Sequence, residues 1–369
     1  MRYPIRFSAM ALGIGLLASA CGGSSSATSS SSATTAASGA SSSGASNNYG
    51  LKFNADGTPI LTGMSFNLGI AAGNPVPGDT TNYILSETLK SWGAKVNYTI
   101  GSGSSMQLAV LSGQLNVADG QEAGAADSGL VIIAPAMTHV DLVLVSSKFT
   151  TVDQLKGQTV AGATSIDPSS YLGPTLSKAM GWGANGLVMT YPGSDSSVVN
   201  ELISGKTVNG FVAAEDLVTL KKHGTFNVIK TAGQIAPEYA DSFNAATPAW
   251  ANANPAMVEA IDLAWWHAAW VFNHDTAAWD AAAEKYTNNA ASPADVVLER
   301  QALEAFKPWP DTAASADQNL SLATVKTNYD ANLAAGEIKG AGVRPIASLV
   351  DLGPWQASAK IVAKYPSIY

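Results

Sequence analysis

Three residue types that usually support catalysis or anion binding are scarce in this chain, namely cysteine, histidine and arginine. Its 369 residues include one cysteine and four histidines. The histidines have neither HExxH nor any other zinc-ligand spacing, and the lone cysteine has no disulfide partner. The sequence also has no Gly-x-Ser-x-Gly elbow, no complete GxGxxG and no P-loop. We therefore expect no catalytic residue, no metal and no cofactor, and an enzyme is the weaker alternative.

Positive charge is also scarce. Beyond the first six residues the only arginines are Arg300 and Arg344, and the formal net charge is −8. This balance argues against a nucleic-acid partner. A strongly anionic ligand would have to be bound without an arginine clamp, by hydroxyls and helix N-termini alone.

The N-terminus has the pattern of an export signal. Arg2 and Arg6 precede an apolar run over 9–17, which is followed by small residues at 18–20 and then by Cys21. The run is too short to span a bilayer as a mature helix, so residues 1–20 are predicted to be a signal peptide. Cys21 lies where a bacterial lipoprotein is lipidated, although Ala18 stands where a lipobox usually has leucine. An ordinary signal peptide that happens to carry a cysteine is the alternative.

Residues 21–48 consist mainly of Ser, Ala, Gly and Thr. This composition predicts a flexible linker between the lipid anchor and a folded domain. We therefore expect an exported monomer that is anchored to the outer face of the cytoplasmic membrane or lies in the periplasm.

The folded part contains a sequence pattern twice. Residues 101–113 (GSGSSMQLAVLSG) share six identities, at a spacing of 92, with residues 193–205 (GSDSSVVNELISG). The similarity continues upstream at a spacing of 88, from Tyr83 and Lys90 to Tyr171 and Lys178. A unit that repeats once at this scale predicts two similar α/β lobes facing each other across a cleft. Coincidence is the alternative, because Gly and Ser are abundant.

Hydrophobic periodicity places strands and helices along both copies. Strands are predicted over 64–71, 95–100, 115–118, 129–134, 140–146, 187–191, 208–213, 226–230 and 242–247. Helices are predicted over 80–92, 255–273, 276–287, 293–306 and 320–335, with Ser104 capping the first repeated helix and Ser196 or Ser197 the second. Trp265, Trp266 and Trp270 are interpreted as core residues of one long helix.

Several segments taken in order resemble a known family. They are LSGQLNVA at 111–118, TVDQLKGQTVAG at 151–162, LISGKTVNGFVAAED at 203–216, TPAWANANPAMVEAIDLAWWHAA at 247–269, DANLAAGEIKG at 330–340 and LVDLG at 349–353. Together they resemble the nitrate/sulfonate/taurine-type substrate-binding proteins of ABC importers and the related binders of thiamine-pyrimidine precursors. The loop at 73–79 departs from the pattern, so ligand identity does not carry over.

The resemblance implies an α/β, bilobal, type II periplasmic-binding fold with two Rossmann-like lobes joined by two crossover strands. Residues 49–137 and 245–369 would form lobe 1, and 138–244 lobe 2. The implied function is delivery of a small polar solute to an ABC permease, the solute being a sulfonate, taurine, nitrate or a pyrimidine-like molecule. A ligand sensor without a transport role and an enzyme on the same fold are the alternatives.

Ligands of open α/β sheets bind beyond the carboxyl ends of the strands, which selects paired loops from the two lobes. The candidate ligand-binding residues are Asn74, Thr80, Ser102, Ser104, Ser105, Gln121, Glu122, Thr164, Ser165, Ser170, Tyr171, Ser194, Asp195, Ser196, Glu215 and Trp250. For the serines, helix capping is an equal alternative. Glu122 or Glu215 would bind an amine, and Tyr171 or Trp250 would stack on a ring or an alkyl chain. These residue types favour a zwitterion or an amine-bearing heterocycle over an inorganic anion.

Overall fold

The structure is a computed structural model that describes residues 49–72, 75–165, 167–183, 186–237, 239–335, 338 and 344–369. The predicted signal peptide, Cys21 and the Ser-rich linker lie outside this range. In the part of the chain that the structure describes, no helix has the length and apolar character needed to cross a bilayer.

The described residues form ten strands. Their bounds are β1 Ser65–Ala71, β2 Lys95–Gly101, β3 Val117–Gln121, β4 Val131–Met137, β5 Val143–Ser146, β6 Thr159–Ala161, β7 Val188–Thr190, β8 Asn209–Val212, β9 Asn227–Thr231 and β10 Ser242–Ala246.

Helices connect and cover these strands. Their bounds are α1 Thr80–Ser91, α2 Gly103–Leu111, α3 Ala123–Asp127, α4 Pro168–Ala179, α5 Asp195–Ile203, α6 Asp216–His223, α7 Ala232–Ile235, α8 Pro248–Ala253, α9 Pro255–His274, α10 Thr276–Tyr286, α11 Pro293–Glu304, α12 Ala316–Asn319, α13 Leu322–Ala335 and α14 Leu352–Lys364. Short 3₁₀ turns occur at Pro77–Asp79, Val152–Leu155, Ala313–Ser315 and Ile346–Ser348.

The strands form two five-stranded sheets with the same topology. One has the order β2-β1-β3-β10-β4 and the other β7-β6-β8-β5-β9. In each sheet the fourth strand is antiparallel to its neighbours and follows a passage of the chain from the other lobe, through residues 138–142 or 232–241. The α/β bilobal prediction is therefore confirmed, and the chain passes twice between the lobes.

The repeated sequence pattern corresponds to repeated structure. Helices α1 and α4 begin and end 88 residues apart, whereas α2 and α5 begin and end 92 residues apart. The predicted capping residues were wrong by position, because α2 begins after Ser102 and α5 after Ser194. Each of these side chains accepts a hydrogen bond from the backbone N–H three residues on, in Ser105 and Ser197. The caps therefore stand two or three residues earlier than the polarity of the loops indicates.

The larger hydrophobic core is built around the long helix α9. Trp265 and Trp266 are fully buried, and Trp266 stacks on Trp355 of α14 with ring centroids 4.7 Å apart. The Trp265 indole N–H donates to the carbonyl of Ala136 at 3.1 Å, which attaches α9 to β4. The interpretation of these tryptophans as core residues is confirmed, and Trp270, at the edge, stacks on His274.

Candidate functional site

Two adjoining cavities lie where the carboxyl ends of the two sheets approach each other. The first, of about 270 Å³, is lined by Ala71, Gly78, Asp79, Asn82, Gly103, Asp119, Gly120, Glu122, Ala136, Met137, Pro168, Asp241, Ser242 and Trp309. The second, of about 210 Å³, is lined by Gly78, Asp79, Met137, Asp141, Leu142, Asp167, Pro168, Asp195, Ala213, Glu215 and Asp241. Five residues line both, so we treat the two cavities as one cleft. Its position beyond the strand ends is where α/β sheets bind ligands.

Two larger cavities lie away from these strand ends. One, of about 510 Å³, is an apolar groove between α6 and α11 lined by residues such as Leu217, Leu298 and Phe306. The other, of about 560 Å³, lies at the edge of the second sheet beside Tyr191 and Lys206. Neither is reached by the carboxyl end of β1 or β3, so the smaller cleft is the better candidate.

The cleft is acidic. Eight carboxylic acids line it: Asp79, Asp119, Glu122, Asp141, Asp167, Asp195, Glu215 and Asp241. No Lys, Arg or His of the described residues contributes to the lining of either cavity. The cleft therefore has the electrostatic character of a site for positive charge.

Most of these acids stand at helix N-termini. Asp79, Asp167 and Glu215 are the residues that precede α1, α4 and α6, while Asp195 opens α5 and Glu122 precedes α3. The positive end of a helix dipole and its free N–H groups favour a carboxylate there. At Asp167 the cap is explicit, because its Oδ1 accepts from the Ser169 amide at 2.7 Å.

Asp119 is the most deeply buried acid of the first cavity, with 3 % of its surface exposed. Its Oδ1 accepts from the Ala71 amide at 2.5 Å, whereas Oδ2 has no hydrogen-bond partner among the described residues. Burial raises the pKa of Asp119 to about 7, although the Ala71 amide and the nearby Asn82 side chain oppose the shift. Asp119 thus lines the first cavity with one carboxyl oxygen that has no hydrogen-bond partner in the described structure.

Asp141 and Glu215 form a carboxyl pair in the second cavity. Burial raises the pKa of both residues. For Asp141 the negative charges of Glu215 and Asp241 raise the pKa further, well above its ordinary value. The hydrogen bond between the two side chains opposes the rise for Glu215 and adds to the rise for Asp141, so the two carboxyls titrate as a pair. Glu215 Oε2 has no partner among the described residues.

Asp79 and Asp241 line both cavities and join them. Burial and the charges of Asp119 and Glu215 raise the pKa of Asp79 well above its ordinary value, and its Oδ2 is unpartnered in the described structure. Asp241 Oδ2 accepts from the Ser242 hydroxyl at 3.0 Å, and burial raises the pKa of Asp241 to about 6. These two residues form the acidic wall between the cavities.

Of the residues selected from the sequence, three line the cleft, namely Glu122, Asp195 and Glu215. Glu122 accepts a hydrogen bond from Asn332 of α13, and the Asn332 Oδ1 accepts from the Gly124 amide at 2.8 Å. Helix α13 therefore orients the turn between β3 and α3.

The predicted serines cap helices or lie on their surfaces. Ser102 and Ser194 are N-caps, and the Ser105 hydroxyl donates to the Ser102 carbonyl at 2.8 Å. Ser104 and Ser196 are exposed in the first turns of α2 and α5, and Ser170 lies in the first turn of α4. None of these side chains is among those that line the two cavities.

The remaining selected residues lie around the cleft rather than in its lining. The Thr164 amide donates to Asp167, and Ser165 lies in the same loop before α4. Gln121 is buried and donates to the Asp119 carbonyl at 2.8 Å, and Thr80 is buried at the start of α1.

The two aromatic candidates pack within the lobes. Tyr171 packs on Tyr239 with centroids 4.9 Å apart. Trp250 packs against the larger hydrophobic core. Asn74 lies outside the described residues.

Five cleft acids were absent from the sequence-based selection, namely Asp79, Asp119, Asp141, Asp167 and Asp241. Asp119 lies within strand β3, and Asp141 and Asp241 lie in the two passages between the lobes. None of the three is in a loop that the sequence selected for ligand binding. A charged residue inside an apolar strand is rare unless it is paired or functional, and that signal would have found Asp119.

Comparison with known proteins identifies the fold. No family model and no curated relative matches the chain. Among solved structures, a putative periplasmic sulfonate-binding protein of an ABC transporter from Methylobacillus flagellatus is 16% identical, with a TM-score of 0.63 over 83% of this chain and 96% of that one. The periplasmic aliphatic sulphonate-binding protein from Escherichia coli is 15% identical, with a TM-score of 0.60 over 80% and 99%.

A third structure is the alkanesulfonate-binding protein from Xanthomonas axonopodis pv. citri bound to MOPS. It is 14% identical, with a TM-score of 0.59 over 79% of this chain and 99% of that one. The neighbours match the family that the sequence motifs resemble. The chain has the bilobal α/β fold of periplasmic binding proteins.

Proposed function

We propose that this protein is an extracytoplasmic solute-binding protein that delivers a small molecule to an ABC importer. The observation that carries the proposal is the cleft itself, two adjoining cavities at the carboxyl ends of both sheets. The resemblance of the sequence motifs to ABC substrate-binding proteins supports the same role. The combined size of the cavities is at the lower end of small-molecule sites, which favours a solute of few atoms.

The proposed action is reversible binding by lobe closure. A ligand that contacts Asp79 on one lobe and Glu215 on the other would favour the closed state, because those contacts exist together only when the lobes are close. The passages at 138–142 and 232–241 would then serve as the hinge. No covalent step is proposed.

A binding experiment separates this role from catalysis. The purified full chain is incubated with a small-molecule extract of its host, washed and denatured, and the released molecules are identified by mass spectrometry. The starting panel for thermal shift contains taurine, alkylsulfonates, nitrate and aminopyrimidines, the solutes that the resemblance implies. Recovery of an unchanged ligand supports transport binding, whereas conversion of the ligand during incubation would support the enzyme alternative.

The importer and the lipid anchor need tests in cells. Loss of uptake of the identified solute on deletion of the gene supports delivery to a permease, and unchanged uptake favours the sensor alternative. For the anchor, Cys21→Ser is expected to abolish labelling by a clickable fatty acid and to release the protein from the membrane fraction. Retained labelling would exclude Cys21 as the lipidated residue.

A further inference from the structure

We propose that the solute is a small organic cation with two positively charged nitrogen groups, such as a short diamine, one group held in each cavity of the cleft. The inference rests on the proposed solute-binding function and adds the charge and shape of the ligand. It departs from the neighbours named as sulfonate-binding proteins, because a sulfonate group is anionic.

The first argument is the set of unsatisfied acceptors. Asp119 Oδ2, Asp79 Oδ2 and Glu215 Oε2 are buried oxygens without a partner among the described residues, and all three residues line the cleft. A buried carboxylate oxygen without a donor is costly. An ammonium or guanidinium group offers three or more N–H donors and a compensating charge, and a sulfonate offers none.

Asp119 supports this argument independently of the acidic composition. Only 3 % of the Asp119 surface is exposed, so water does not solvate it as it solvates a surface aspartate. The Tyr286 hydroxyl is equally buried and also unpartnered in the described structure, and burial together with the charges of Asp79 and Asp119 raises its pKa. A donor group in the first cavity would therefore satisfy oxygens that the protein leaves open.

The second argument concerns the helix N-termini. In a binding fold of this type they are the natural positions for an anionic ligand. Here Asp79, Asp167 and Glu215 already place a carboxylate at three of them. An added anion would compete with these side chains for the helix N-termini, whereas a cation would favour their ionised form and meet its negative charge.

The third argument is the distribution of the acids. Asp119 belongs to the first cavity and Glu215 to the second, while Asp79 and Asp241 line both. Among the described residues no three metal-ligating side chains converge closely enough to hold a metal ion. Because the acids are spread over two adjoining cavities, they fit a ligand that carries two cationic groups at the ends of a short carbon chain.

The experiment is isothermal titration calorimetry of the full chain with 1,3-diaminopropane, 1,4-diaminobutane, butylamine, taurine, ethanesulfonate and Ca²⁺ at pH 8. The variants are Asp119→Asn and Glu215→Gln, with Asp153→Asn, an exposed acid of the Val152–Leu155 turn, as the matched control. We expect one of the diamines to bind more tightly than butylamine. Its affinity should fall by about tenfold or more in each cleft variant and stay unchanged in Asp153→Asn.

The outcomes separate this inference from the proposed function. Binding of ethanesulfonate or Ca²⁺ more tightly than any diamine, or of a neutral solute from the host extract, would overturn the cation inference and leave solute binding intact. Diamine binding that is insensitive to both cleft variants would also overturn it. If no molecule from the panel or the extract binds, both proposals fail.

Thermal melts of the variants verify folding, and the pH dependence of diamine binding to the unaltered chain gives a readout that needs no variant.

Discussion

Gly78 and Glu215 meet across the cleft. A Cβ built on Gly78 would stand 3.0 Å from Glu215 Oε1, so this turn lies close to the acid of the other lobe and leaves little room for a side chain. Gly78 belongs to the turn before α1, and Glu215 precedes α6. The two residues therefore mark the point where the lobes close.

Substitution of Gly78 should impair closure in proportion to the added volume. Gly78→Ala is expected to have little effect, because the Glu215 carboxylate is the flexible end of a side chain. Gly78→Leu is expected to weaken solute binding by about tenfold or more, by disfavouring the closed state. Calorimetry with the identified solute measures this, and Ala281→Leu, on the exposed surface of α10 away from the cleft, is the control. Equal affinity of Gly78→Leu and the unaltered chain would show that this contact does not accompany binding.

The ligand-free protein should lose stability as the pH rises from about 5 to 8. Burial raises the folded-state pKa of Asp119 and Asp216 to about 7 and of Asp241 to about 6, well above their ordinary value of 3.8. The native state then binds more protons than the unfolded state between pH 4 and 7, so the free energy of unfolding decreases with pH. Other charged groups that act on these residues or are acted on by them are Asp79, Asp141, Asp167, Asp195, Glu215 and Glu299. Urea unfolding at several pH values measures the slope.

Asp119→Asn should make that slope shallower, because it removes one of the titrating groups while keeping the shape. Asp153→Asn should leave the slope as it is. A free energy of unfolding that rises between pH 5 and 8 in the unaltered chain would contradict the assignment of raised pKa values in the cleft.

The hydrogen bond from the Asn332 side chain to the Glu122 carboxylate should be lost when residue 332 becomes acidic. Asn332→Asp replaces the donor to Glu122 with a second carboxylate in a buried position. We expect a loss of about 1–3 kcal/mol in the free energy of unfolding at pH 8. The loss should be smaller at pH 5, where protonation restores a donor. Asn200→Asp on the exposed face of α5 is the control, and a pH-independent loss for Asn332→Asp would indicate a packing effect instead.

The stacked tryptophans should dominate the stability of the larger core. Trp266→Ala removes a fully buried ring that stacks on Trp355 and donates to the Ser358 hydroxyl at 3.1 Å. The expected cost is about 3–5 kcal/mol. Trp270→Ala, at the partly exposed edge of the same helix, should cost less than half as much. Chemical denaturation monitored by far-UV circular dichroism compares the two, and equal losses would argue against the central role of the stack.

Much of the architecture followed from local sequence. The spacings of 88 and 92 residues predicted two equivalent lobes because each lobe repeats the same strand, helix and loop lengths, and helices α1, α2, α4 and α5 keep those spacings. Strand and helix periodicity also placed the long helix α9, because its apolar residues recur at helical spacing. Ser102 and Ser194 were within the predicted loops, although the capping positions required the backbone geometry.

Tertiary structure alone decided which side chains share the cleft. Asp119 lies in a strand, Asp141 and Asp241 in the two passages between lobes, and Asp79 and Glu215 in turns more than a hundred residues apart. No local pattern relates these five acids, since they converge only when both sheets have formed and their carboxyl ends face each other. The sequence by itself determined the number and type of the lobes and the scarcity of positive charge. The folded chain determined that these acids converge at one place, where burial and mutual repulsion raise their pKa values, because desolvation depends on what packs around a residue and not on its neighbours in sequence.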